Sequence, residues 1–182
     1  MTKIKFSLVQ FLMLMSIINT AFSQSDTIQK RWSVSAYGGA IFPSSSNNSY
    51  TLSENMGADI SYRYIPEISI YLNFSYNLMN NNQTFGLLES TLGTRFYLAP
   101  KLGNPYVELG FGYYQRFYKN PGYYFDDRNY DEFGINAGLG TEINITERIQ
   151  IPIKFKLHII NFLVDGDQIA YSGFYTGIKY SF

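Results

Sequence analysis

Three basic side chains near the C-terminal end have the clearest potential for chemistry: Lys154, Lys156 and His158, each two residues from the next. His158 is the only histidine, and a histidine beside a hydroxyl or thiol nucleophile is the commonest general base in enzymes. The chain has no cysteine, and no serine lies next to His158 in the sequence. The favoured interpretation of His158 is therefore a member of a polar network, and no catalytic residue and no cofactor is predicted.

A spacing of two residues places these side chains on one face of a β-strand, and the same alternation recurs along most of the chain. Where clusters of Pro, Gly, Asn and Asp bound the alternation, it predicts eight strands. They lie near residues 31–42, 56–64, 67–77, 85–98, 105–118, 133–145, 149–161 and 170–182. Eight is an even number, and most of these strands reach the ~9 to 11 residues that a tilted membrane strand needs.

One face of each predicted strand is apolar and the other carries the charges. Ile68, Ile70 and Leu72 share one face, for example, whereas Glu67 lies on the other. The residues predicted to point inward and form an interior charge network are Asp59, Arg63, Glu67, Glu89, Arg95, Glu108, Arg116, Glu142, Lys154, Lys156, His158 and Lys179. Ten glycines fall on the same inward side, where they leave room for Arg and Tyr in a narrow barrel.

Composition supports a wall that faces lipid. Charged residues make up 15% of the chain, against ~25% in ordinary soluble proteins, while 17 Tyr and 15 Phe raise the aromatic share to 18%. Mean hydropathy is only −0.13, and there is one long apolar run, so a bundle of membrane helices is excluded and a barrel with a polar interior is favoured. A formal charge of zero argues against nucleic acid as a partner, and no thiol metal site is possible.

The N-terminus has the pattern of a secretory signal peptide. Two lysines precede an apolar run over 6–18, and the small residues Ala21 and Ser23 follow it. The run is shorter than the ~18 residues of a spanning helix, so removal is favoured over retention as an anchor. Cleavage is predicted between Ser23 and Gln24.

These observations predict an all-β fold, a transmembrane eight-stranded antiparallel up-and-down β-barrel. The expected organisation is a signal peptide over 1–23, a short periplasmic segment over 24–30 and the barrel over 31–182. Connections near 65–66, 99–104 and 146–148 are expected to be short periplasmic turns, and those over 43–55, 77–84, 119–132 and 162–169 to be longer outer loops.

The predicted turns also set the pairing of charges. Pairing Leu98 with Pro105 places Arg95 opposite Glu108. A tight turn at 65 would likewise place Arg63 opposite Glu67, and pairing of 143 with 151 would leave Glu142 diagonal to Lys154. Five acids and six bases, besides the histidine, make a nearly balanced interior, which predicts a filled barrel because an unpaired buried charge costs several kcal/mol. Pro152 cannot donate a ladder hydrogen bond, so a bulge or a longer turn is expected there.

The signal peptide, the eight alternating strands and the terminal aromatic resemble the small OmpA/OmpX-type outer-membrane barrels of the outer membrane protein beta-barrel domain or porin-like family. The resemblance spans the mature chain, and it is specific for fold rather than for function. It implies a Gram-negative outer membrane, contact with its lipid and lipopolysaccharide, and biogenesis through the β-barrel assembly machinery. Ile178, Tyr180 and Phe182 match the family's assembly signal.

The third predicted outer loop carries two features that could bind a partner. Asp126, Asp127, Asp131 and Glu132 could hold a divalent cation, including one that bridges lipopolysaccharide, but their spacing matches no calcium motif and a solvated loop is favoured. No metal site is therefore predicted. The aromatic run 123–125 is equally well explained as a contact surface or as part of the interfacial girdle, and the partner of the loops stays unidentified.

Three functions follow from these patterns. The leading hypothesis is a non-enzymatic barrel with a charge-filled interior that contributes to envelope integrity or presents loops for surface contact. The second is a narrow porin-like channel or small-ligand barrel, in which the inward charges line water. The third is a lipid-modifying enzyme, which would need a base on the outer wall, whereas His158 is predicted to point inward.

Processing at the predicted position gives a first test. We expect protein extracted from the outer membrane to begin at Gln24, because the small residues at 21 and 23 suit the signal peptidase. Intact-mass measurement and N-terminal sequencing would show this directly. A protein that retains residues 1–23 would contradict the prediction.

Overall fold

Eight strands form one closed barrel in the computed structural model, which describes residues 31–44, 52–80, 84–98, 104–118, 130–161 and 169–182. The strands are β1 (Arg31–Ser44), β2 (Ser53–Ile65), β3 (Ile68–Asn80), β4 (Thr84–Tyr97), β5 (Tyr106–Tyr118), β6 (Tyr130–Asn144), β7 (Ile149–Ile160) and β8 (Ile169–Ser181). Each strand pairs antiparallel with the next, and β8 pairs with β1. The predicted fold class is therefore confirmed, while the predicted signal peptide and the segment 24–30 lie outside the described residues.

Alternate residues of each strand form the two faces of the barrel wall. Along β7, Lys154, Lys156 and His158 are buried, whereas Phe155 and Leu157 between them are exposed on the outside. The same pattern of large exposed apolar residues recurs on every strand, as expected where one face meets lipid and the other the interior. Among the described residues, no helix is long and apolar enough to cross a membrane.

One of the expected loops is shorter than predicted, because the strands on both sides of it are longer. β3 continues to Asn80 and β4 begins at Thr84, so the connection between them is 81–83 and not the long loop expected over 77–84. The strands extend because the alternation persists: Met79 and Leu87 are completely buried on the inward side. The connections 45–52, 119–129 and 161–168 join strands at the end of the barrel opposite to the start of β1 and the end of β8.

Two local expectations about the backbone are wrong. The register shifts between Arg63 and Ile65, so Arg63 faces Ser69 and not Glu67 across the β2–β3 hairpin. Pro152 lies within β7 without a bulge, since the register to β8 is the same before and after it. Ile151 and Pro152 are not paired with β8. This is expected at a proline, because its ring nitrogen has no hydrogen to donate.

Inward tyrosine rings lie directly over inward glycines, which lets large rings fit inside a narrow barrel. A methyl group added at Gly93 would lie 2.6 Å from the Tyr71 ring, and one added at Gly57 would lie 2.6 Å from the hydroxyl of Tyr37. Similar contacts link Gly134 to Tyr114 and Gly140 to Tyr106. The inward glycines therefore provide the space that the tyrosines occupy.

This packing predicts a difference between two glycine substitutions. Gly93→Ala should lower the free energy of unfolding by about 1–3 kcal/mol, because its methyl group overlaps Tyr71 and the backbone of Leu109. Gly38→Ala is the matched control, since its methyl group would meet the nearest atom at an ordinary 3.5 Å. Urea unfolding in lipid vesicles would compare them, and equal stabilities would contradict the proposed packing.

Candidate functional site in the barrel interior

The twelve residues predicted to point inward all lie on the interior face or at its rim. Eleven of them are buried, and the twelfth, Arg63, has a side chain 19% exposed at the end with the chain termini. Their partners are mostly on strands that are not neighbours in the sheet. The interior is therefore organised by contacts across the barrel, in three clusters along its axis.

The central cluster is organised around the guanidinium of Arg95. Its Nη2 and Nη1 donate to the two carboxylate oxygens of Asp59 at 2.9 and 3.3 Å, and its Nε donates to Glu108 at 2.9 Å. Lys154 lies 3.6 Å from Asp59, and Lys156 lies 3.5 Å from Glu108. The position of Glu108 opposite Arg95 is the one that the 98–105 turn predicts. The contact of Asp59 with Arg95 joins β2 to β4 across the interior.

Glu89 is the centre of a second cluster, on the side of the long loops. Its carboxylate accepts hydrogen bonds from Asn73, Ser75, Thr91 and Tyr171, at 3.0 to 3.2 Å. Lys156, 3.9 Å away, connects this carboxylate to the central cluster. Every donor lies on the interior face of its strand, so Glu89 is held by the barrel from several sides.

His158 belongs to this second cluster and not to the outer wall. Its Nδ1 lies 3.0 Å from the Tyr114 hydroxyl and 3.8 Å from Glu89, and its ring stacks on Tyr171 with centroids 4.3 Å apart. The side chain is almost completely buried. A histidine in this position contacts protein groups and does not face lipid substrates at the membrane surface.

Glu142 forms the third cluster, at the end with the chain termini. It accepts hydrogen bonds from Lys179 at 2.8 Å and from the Tyr97 hydroxyl at 3.0 Å, while Arg63 approaches it to 3.7 Å. The pairing of 143 with 151 is confirmed, but Lys154 pairs with Asp59 across the barrel and not with Glu142.

Glu132 is an interior residue that the sequence prediction assigned to a loop. β6 begins at Tyr130, so Glu132 lies on its inward face and accepts two hydrogen bonds from Nη2 of Arg116, at 2.7 and 2.8 Å. It is therefore not a loop ligand for a cation. Asp131 lies exposed on the outer face, where the Tyr113 hydroxyl donates a hydrogen bond to it. The acids at 126 and 127 lie outside the described residues.

With Glu132 included, the interior charges on the described residues balance. Six acids (Asp59, Glu67, Glu89, Glu108, Glu132 and Glu142) face six bases (Arg63, Arg95, Arg116, Lys154, Lys156 and Lys179), so six minus six gives a formal charge of zero. Glu67, the remaining acid, is buried beside the β2–β3 turn, where its carbonyl accepts a hydrogen bond from the backbone of Tyr97. No group of acids and histidines in the described part of the chain could hold a metal ion.

Four apolar side chains pack in the interior on the side of the 45–52, 119–129 and 161–168 connections, and the sequence analysis did not identify this apolar layer. Ile41, Met79, Leu87 and Ile160 are completely buried there. They pack with inward tyrosines in one cluster. The signal was present in the sequence, because each of the four falls on the inward parity of its strand, near the strand end that leads to a loop.

The sequence and the fold both match known outer-membrane barrels. Residues 11–182 match the family described as Outer membrane protein beta-barrel domain. The chain belongs to this family. The outer membrane is therefore its location, where its wall contacts lipid and lipopolysaccharide. No curated protein matches the sequence.

Solved structures of small outer-membrane barrels share this fold at low identity. Neisserial surface protein A has a TM-score of 0.68 at 12% identity, covering 83% of this chain and 97% of its own. Ail of Yersinia pestis, solved in complex with the heparin analogue sucrose octasulfate, has a TM-score of 0.61 at 12% identity, covering 85% and 100%. OprG of Pseudomonas aeruginosa has a TM-score of 0.56 at 12% identity, covering 84% and 96%.

Removal of the central guanidinium gives a test of the interior network. Arg95→Met should lower the free energy of unfolding by about 3–5 kcal/mol, because it leaves two buried carboxylates without their main partner. Asp59→Asn together with Glu108→Gln in the same background should recover part of this loss.

Arg31→Met is the matched control, because Arg31 is exposed at the end of β1 and surface changes shift stability by about 0.5 kcal/mol or less. Urea unfolding of the refolded variants would measure both effects. An Arg95 variant as stable as the Arg31 variant would show that the network contributes little.

Proposed function

We propose that this outer-membrane barrel is a non-enzymatic protein with a filled interior, which contributes to envelope integrity or presents its outer loops for surface contact. The observation that carries the proposal is the burial of the interior charges in ion pairs, most of which join strands that are not neighbours in the sheet. A water-filled pore would leave these groups hydrated. Here Glu108 contacts both Arg95 and Lys156, and all three side chains are buried.

The apolar layer at the loop end adds a second barrier. Transfer of an ion past Ile41, Met79, Leu87 and Ile160 would require it to lose its hydration among side chains that are completely buried and offer no polar partner. Below this layer the tyrosines occupy the space above the glycines. Both features support a closed barrel over a narrow channel or a small-ligand barrel.

The proposal that the protein is not an enzyme rests on the position of His158. Catalysis on membrane lipids requires a base and a nucleophile on the outer wall, at the depth of the lipid bond that is cleaved. His158 lies inside, bonded to Tyr114 and stacked on Tyr171. The interior histidine is thus accounted for by the polar network.

Biogenesis completes the proposal. Export would use the signal peptide 1–23, with cleavage between Ser23 and Gln24. The assembly machinery would recognise the last strand through Ile178, Tyr180 and Phe182, and all three side chains are exposed on the outer face. The connections 45–52, 119–129 and 161–168 join strands at one end of the barrel and would provide the contact surface.

Ion conductance tests the closed barrel. The refolded protein, shown to be a barrel by its heat-shifted gel mobility, should give no stable conductance steps in a planar bilayer, because the interior is packed along its length. A general porin added to the same bilayer would show that insertion and detection work. Discrete steps whose size or ion selectivity changes in Arg95→Ala would establish a narrow channel instead.

A further inference from the structure

A basic side chain lies on the lipid-facing wall at the end of the barrel that carries the chain termini. Arg148, in the β6–β7 turn, donates a hydrogen bond from Nη1 to the hydroxyl of Tyr180, 3.4 Å away. Tyr180 belongs to the outward face of β8, together with Phe174 and Ile178. The contact therefore directs the guanidinium to the outside of the barrel and not to the interior network.

The backbone fixes Arg148 beside the end of β8. The amide of Ser181 donates to the carbonyl of Arg148 at 2.8 Å, and the next amide, that of Phe182, donates to the carbonyl of Trp32 at 2.9 Å. Arg148 and Trp32 thus lie on the two sides of the last strand. With neighbouring strands ~4.8 Å apart, the two residues are about 10 Å from each other.

The turn that carries Arg148 is itself ordered by hydrogen bonds. The hydroxyl of Thr146 accepts from the amides of Arg148 and Ile149 at 3.3 and 3.0 Å. The amides of Ile145 and Thr146 both donate to the carbonyl of Ile149, at 2.9 and 3.1 Å. The backbone position of Arg148 is therefore set in advance, which reduces the entropy lost when its side chain binds a ligand.

Exposed aromatic rings surround this position. Trp32 is 51% and Phe182 is 63% exposed, and both face outward. Trp32 packs on Tyr62 with ring centroids 4.9 Å apart, and Tyr180 stacks with Phe182 at 6.4 Å. Aromatic residues of this kind lie at the depth of the lipid headgroups, so Arg148 lies at the depth of the phosphates.

We propose that Arg148, with Tyr180, Phe182 and Trp32, binds the phosphate of a glycerophospholipid headgroup in the periplasmic leaflet. A guanidinium has five N–H donors, and Arg148 uses one of them on Tyr180. The others suit the oxygens of a phosphate. The aromatic rings beside it would contact the glycerol and the first methylene groups, which a free phosphate ion does not have. The leaflet follows from the proposed orientation, in which the chain termini are periplasmic.

Trp32 is the only tryptophan of the chain, so its fluorescence reports on this site. The refolded protein in an uncharged detergent would be titrated with phosphatidylglycerol brominated on its acyl chains near the glycerol. Binding beside Trp32 should quench the fluorescence. Arg148→Gln should weaken the apparent affinity about fivefold, the effect of one basic residue at an anionic lipid surface.

Three matched measurements separate headgroup binding from general contact with lipid. Arg31→Gln removes the same charge at the same end of the barrel and should change the affinity less than about twofold. Glu147→Gln removes the neighbouring carboxylate and should strengthen binding. Brominated diacylglycerol, which has no phosphate, should quench the wild-type protein and Arg148→Gln equally.

Each contrary result is decisive. Equal affinity of phosphatidylglycerol for the wild-type protein and for Arg148→Gln would overturn the site, and reversal of quenching by millimolar inorganic phosphate would show that the site takes the free ion. If Arg148→Gln fails the heat-shift test for folding, Arg148→Lys replaces it and should bind with intermediate affinity. These readouts do not depend on conductance, so they stand apart from the closed-barrel proposal.

Discussion

The need to pair every charge inside a narrow, closed barrel governs most of this structure. Arg95 illustrates the constraint, because its guanidinium bonds Asp59 on one strand and Glu108 on another. An ion in a low-dielectric interior carries a desolvation penalty of several kcal/mol unless partners offset it. Lys154 and Lys156 add positive charge beside Asp59 and Glu108. At Glu89, hydrogen bonds from protein groups take the place of hydrogen bonds to water. Because Lys156 contacts both Glu108 and Glu89, the central and second clusters behave as one connected network and not as separate pairs.

The outer wall meets the opposite requirement. Its described strands present Leu, Ile and Phe to lipid, and their acidic side chains on this face, Glu54 and Asp131, lie near the loop end. Satisfying both requirements in a single strand demands strict alternation, and that is why the sequence has so marked a period of two. The glycines add a third requirement, since most of the large inward rings lie against a glycine, as Tyr71 lies against Gly93.

The fold was predictable from this alternation, whereas the interior partners were only partly so. Strand number, faces and the register of Arg95 with Glu108 follow from local pattern and from turns. The pair of Arg63 with Glu67 was wrong because the β2–β3 turn lies at residues 66 and 67 and not at Ile65, so Arg63 faces Ser69. Contacts such as Asp59 with Arg95 depend on how the closed sheet curves, and no spacing along the chain encodes that curvature.

Boundaries were the weaker part of the prediction. Glu132 was assigned to a loop because the predicted strand began only at residue 133. Its ion pair with Arg116, a diagonal contact across β5 and β6, becomes evident only once β6 is seen to begin at Tyr130. The apolar layer was missed for a related reason. Ile41 and Met79 lie at strand ends where polar loop residues begin. The set of inward-facing positions was not followed as far as these residues.

The pairing of β1 with β8 has a consequence for the order of synthesis. The first strand is made before all the others, yet its second neighbour, β8, is made only after the six strands between them. Until then β1 has an open edge, and an open edge invites pairing with other chains. Long-range closure of this kind is also slow. The incomplete chain must therefore be kept apart from its own copies until its final residues arrive, so the cell's handling of the nascent protein is part of what this topology requires.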